Sequence, residues 1–99
     1  MQYYAVFDVA TGAYMNPFPM QSDGQALRAF EDMVMEPGNP LSLHPEDYSL
    51  FRLEVFDNEK GMWNSAEGPV CLARAHEVRA KRVAQTGVEI STEELESDA

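Results

Sequence analysis

The sequence predicts an α+β domain: a small antiparallel sheet of four to five strands with one main helix packed on one face. Three stretches carry this prediction. Tyr48–Phe56 alternates over a run of aromatic and aliphatic residues, Tyr3–Val9 does the same over a shorter run, and Asp23–Met35 repeats its apolar residues at helical spacing.

The first strand is Tyr3–Val9, with Tyr3, Ala5, Phe7 and Val9 pointing one way and Tyr4, Val6 and Asp8 the other. Thr11-Gly12 signals a turn, after which Ala13–Met20 returns as a weaker strand. Pro17 and Pro19 each remove a backbone donor, so that strand belongs at a sheet edge or is irregular.

Ser22, followed three residues later by Gln25, marks a helix start, and Asp23 suits the positive end of the helix dipole. Ala26, Leu27, Phe30, Met33 and Val34 form the apolar stripe, with Arg28, Glu31 and Asp32 opposite. Pro37-Gly38-Asn39-Pro40 ends the helix.

His44-Pro45-Glu46-Asp47 is a turn or short helix start that leads into the central strand. Within that strand Phe51, Leu53 and Val55 share the face assigned to the core. Tyr48, Leu50, Arg52, Glu54 and Phe56 then form the outer face. Asp57–Gly61 is a hairpin loop with a late glycine, where a left-handed residue is often needed. Met62–Asn64 returns, and Pro69–Ala73 is a last edge strand in which Cys71 reads as a small buried hydrophobe. Arg74–Val83 is a basic segment, read as a short helix or as an extension ordered by a partner, and Thr86-Gly87 breaks it.

The domain is therefore residues 1–83, and 84–99 is an acidic tail expected to be disordered. The 99 residues carry a formal charge of -10, and the five carboxylates after Val83 account for half of it. An acidic body repels phosphate at long range, so polyanion binding needs a local cationic patch. One cysteine forms no internal disulfide and no cysteine-rich zinc site. No stretch has the apolar length of a membrane span, and the N-terminus lacks a signal-peptide pattern, which predicts a soluble, intracellular protein.

Catalysis finds little support. His44 and His76 stand far apart, no phosphate loop or nucleophile elbow is present, and the adjacent carboxylates Glu31-Asp32 and Glu46-Asp47 read as solvated surface. The expectation is a non-enzyme without metal or cofactor. Two features suit binding. Arg74, Arg79, Lys81 and Arg82 are the basic cluster, whose alternative is a solvated helix face balancing the acidic tail. Tyr4, Tyr48, Arg52 and Trp63 on the outer sheet face offer rings for base stacking and a guanidinium for phosphate, unless the rings are covered by a loop or a second subunit.

The order of motifs is informative. Tyr4-Ala5-Val6-Phe7-Asp8 is followed by Asn16-Pro17-Phe18, then by Asp23–Asp32 with its A-x-R-x-F helix, then by His44–Phe51 with its H-P-x-D-Y strand entry, then by Phe56-Asp57 and Gly61. Over residues 3–75 the chain resembles the small nonstructural protein of gokushoviruses, single-stranded-DNA bacteriophages of the microvirus family. The resemblance implies a non-capsid protein linked to viral DNA synthesis, including the switch to single-stranded genome production, in the cytoplasm of the bacterial host. It carries over no catalytic or binding residues.

The resulting expectation is a protein acting in phage genome replication by binding single-stranded DNA or a replication protein. The alternative is a protein–protein adaptor that touches no nucleic acid. A sheet with a single helix leaves one face uncovered, and its apolar content predicts a homodimer or larger homo-oligomer. The tail, Glu89–Ala99, serves either solubility or as a phosphate mimic competing for the basic cluster.

Overall fold

A computed structural model describes residues 1–64 and 68–86. Of the expected acidic tail, 84–86 belong to the last helix, while 87–99, like 65–67, lie outside the described residues. The fold is α+β. Its open antiparallel sheet has six strands: β1 (Gln2–Asp8), β2 (Ala13–Tyr14), β3 (Phe18–Met20), β4 (Tyr48–Asp57), β5 (Met62–Asn64) and β6 (Val70–Arg74). Helix α1 (Asp23–Met35), the short helix α2 (Pro40–Leu43) and helix α3 (Ala75–Thr86) complete it.

The two long strands β1 and β4 pair in the middle from Asp8–Tyr48 to Gln2–Val55. Each carries two short strands on its other side. β2 and β3 both pair with β1, and β5 and β6 both pair with β4. The strand count exceeds the expected number because the return strand splits. Pro17, which has no N–H to donate, falls between its two pieces. Gly12 and Gly61 sit at φ of 72° and 65° in the two strand-reversing turns, a conformation that other residues enter only under strain.

The helix α1 forms as its sequence dictates. Ser22 Oγ accepts from Gln25 N–H at 3.2 Å, while the Gln25 side chain reaches back past the cap to accept from Gln21 N–H at 3.0 Å. Ala26, Phe30 and Val34, spaced by four, are fully buried. Asn39 Oδ1 accepts from Leu41 N–H and Pro40 occupies the first turn, so the residues that end α1 also start α2, whose Leu41 is buried.

The basic segment is the ordered helix α3, running through Thr86. Ala75 is fully buried and Val78 packs on the core, so α3 lies with α1 on one sheet face. This core comprises Tyr4, Val6, Leu50, Ala26, Phe30, Val34, Leu41 and Ala75.

That core corrects the face assignment for β4 up to Arg52, whereas beyond it Glu54 and Phe56 lie on the open side as expected. Leu50 is fully buried beneath the helices, whereas Phe51 is half-buried on the opposite side, in ring contact with Phe7 and Tyr14. Cys71 is exposed rather than buried, because it pairs with Phe51 on this same uncovered side. Among the described residues no helix is long and apolar enough to cross a membrane.

Candidate interaction surface

The residues expected to share an outer face do not. Tyr4 is fully buried under the helices, stacked near Phe18 with ring centroids 5.9 Å apart. Its hydroxyl donates to Asp23 Oδ1 at 2.7 Å and also contacts the Gln2 side-chain amide. Arg52 is turned to the same side, with Nη1 donating to Asp23 Oδ2 at 2.6 Å. Asp23, in the first turn of α1, therefore clamps the helix start to β1 and β4 through one carboxylate. Tyr48 is half-buried against the core, and burial followed by the Asp8 and Asp47 carboxylates raises its phenol pKa. The expected stacking set of Tyr4, Tyr48, Arg52 and Trp63 is thus split, and only Trp63 belongs to the uncovered face.

The Tyr4 phenol is pushed well above its ordinary value, first by burial and then by its bond to anionic Asp23. The folded state therefore holds this proton more tightly than the unfolded chain does. Its stabilising contribution is complete below the unfolded value of about 10 and declines as pH rises above it. Alkaline titration of urea stability should show this decline in the wild type. Tyr4→Phe should flatten the part of the slope that Tyr4 supplies, and an unchanged slope would rule the assignment out.

The basic cluster is largely engaged within the chain. Arg79 Nη1 donates to the Ser42 carbonyl at 2.6 Å, Arg82 pairs with Glu31 at 3.2 Å, and Arg74 lies 3.6 Å from Glu77. Lys81 is exposed, beside a groove between α1 and α3 that is also lined by Glu31 and Glu77. The cluster therefore holds α3 in place and is interleaved with acids. It does not form a continuous cationic patch.

The sheet face away from the helices carries rings. Phe7, Tyr14 and Phe51 form one edge-to-face group, with centroids 4.9 to 6.3 Å apart. Trp63 forms a second, 5.1 Å from Tyr3 and 4.9 Å from Phe56. Tyr14 is 44% and Trp63 50% exposed.

A bulge shapes the second group. Tyr3 pairs with Glu54 but Tyr4 with Arg52, which leaves Leu53 as the extra residue. The consecutive residues Leu53 and Glu54 then line one pocket with Tyr3, Pro17 and Trp63. The first-strand alternation grouped Tyr3, Ala5 and Phe7 on one side, but with Tyr4 assigned to the outer face that group fell on the core side, the reverse of its place here. Glu54, Phe51 and Tyr14 gave no functional signal, because aromatic residues on a strand read equally well as core.

His44, Glu46 and Asp47 bring their ligand-type atoms within 4.8 Å of one another in an exposed turn. That closeness follows from the tight turn itself, and solvated groups are common in such an arrangement.

Comparison with known proteins agrees with the motif order. A family model described as "Phage ORF5 protein" matches residues 1–78. Protein ORF5 of Chlamydia phage 1 is 34% identical over 65 residues, covering 62% of this chain and 68% of the relative. No solved structure matches. The motifs, the matched span and this relative together show that the chain belongs to the phage ORF5 protein family, as a small protein of the gokushovirus type.

Proposed function

We propose that this chain serves phage genome replication as a non-catalytic binding protein in the host cytoplasm, and that the aromatic sheet face is where it takes a replication protein. The observation that carries the reading is the presence of six aromatic side chains on a sheet face that no helix covers among the described residues. Contact surfaces are enriched in exposed aromatics of this kind, which bury large area at low entropic cost.

Tyr14→Ser with Trp63→Ser tests it, since both side chains are about half exposed and the fold should survive. In infected cells this variant should lower single-stranded viral DNA several-fold while the double-stranded form persists. Wild-type levels of single-stranded DNA would refute the reading.

Direct binding of single-stranded DNA is the second reading, favoured by the exposed rings of Tyr14 and Trp63, since stacking is worth ~1–3 kcal/mol per base. The cations count against it. Arg52, Arg79 and Arg82 are committed to groups of their own chain, and the net charge is -10. If it holds, a labelled oligonucleotide should quench Trp63 with a shallow salt dependence, because few phosphates are neutralised. No quenching at low salt would leave the protein-partner reading standing alone.

A further inference from the structure

Resting on the reading that the sheet face docks a protein, we infer that the pocket beside the Tyr3–Trp63 ring pair receives an arginine side chain from a basic segment of that partner. The pocket is an open concavity of about 420 Å³ lined by Tyr3, Pro17, Leu53, Glu54 and Trp63. Its walls are apolar and aromatic, and its one charge is the half-buried carboxylate of Glu54.

That carboxylate has no ion-pair or hydrogen-bond partner among the described residues. All seven Lys and Arg of the chain lie within the described residues, and none pairs with Glu54. A cationic side chain that pairs with it would therefore come from another molecule.

A guanidinium suits this pocket. It is planar, so it can stack on the exposed face of the half-exposed Trp63 indole, and its fork matches the geometry of a carboxylate. A lysine would pair with Glu54 as a point charge but would not stack. A nucleotide would bring its phosphate toward Glu54, and among the described residues no Lys or Arg lines the pocket to offset that repulsion. A second copy would oppose one acidic chain with another of the same net charge, -10. The bulge at Leu53 adds purpose to the geometry, because it turns an apolar side chain and an acid into the same pocket.

The test is a titration of the isotope-labelled full chain with an acetylated hexa-arginine peptide, following the Trp63 indole N–H and the Leu53 and Glu54 amides. Hexalysine and a thymidine dodecamer serve as comparators. Hexa-arginine should move these three signals more than hexalysine does. Glu54→Gln should weaken that binding by ~5-fold while leaving the rest of the spectrum in place.

Shifts confined to other acidic residues would overturn the inference, as would wild-type affinity in Glu54→Gln. So would pocket shifts produced only by the dodecamer, or by raising the protein concentration alone. If Tyr14→Ser with Trp63→Ser blocks single-stranded DNA accumulation but the pocket ignores hexa-arginine, only the arginine assignment falls. If that variant is also silent in cells, the docking reading falls with it.

Discussion

Phe30→Ala should destabilise the domain by about 3–5 kcal/mol, measured by urea denaturation with circular dichroism. Phe30 is fully buried at the centre of the α1 stripe, in one cluster with Tyr4, Val6, Leu50 and Val34. Truncation removes the transfer energy of the ring and leaves a cavity that a backbone fixed on both sides cannot close. β1 and β4 are held by their ladder, and α1 is held at its start by Asp23 bonded to Tyr4 and Arg52. Domains of this size are typically stable by only about 5–15 kcal/mol, so the variant should be partly unfolded near 37 °C. A loss under about 1 kcal/mol would mean that the helix does not pack on this face.

Leu50→Ala should cost about 2–5 kcal/mol, and Leu53→Ala, three residues along the same strand, only about 1 kcal/mol. Leu50 is fully buried between β1 and β6 under the helices, paired with Val6 and Ala73. Leu53 is half-buried at the bulge on the open face. Both losses are leucine to alanine in one strand, so propensity and side-chain chemistry cancel and burial alone sets the order. The reverse order would place the helices over the other face.

These two residues also show where the sequence ceased to be legible. The α1 helix was fully readable, since its cap, stripe and proline stop are local signals and all three agree. The weak return strand was readable through its prolines. The faces of β4 were not, because Phe51 and Leu53 on one side are as apolar as Tyr48 and Leu50 on the other. Alternation identifies a strand without identifying which side the helices choose. The bulge compounds this, since a one-residue slip exchanges the faces and leaves no trace in composition.

The site misreading has the same origin. Tyr4 and Arg52 read as a stacking ring and a phosphate ligand until Asp23, distant in sequence, claims both side chains. The basic segment likewise looked free because Ser42 and Glu31, its partners, lie 37 and 51 residues away. The gokushovirus motif order, by contrast, was legible from the residues themselves and agrees with the family match.

If a partner docks on the ring-bearing sheet face, that face is open in the free chain. Trp63, the one tryptophan of the chain, lies on it and reports directly. Its emission and its quenching by acrylamide should be recorded on the free protein across a wide concentration range. The expected result is the red-shifted emission of a hydrated indole with efficient quenching, both independent of concentration. A blue-shifted emission protected from acrylamide would contradict it, because the face would then already be covered before any partner arrives.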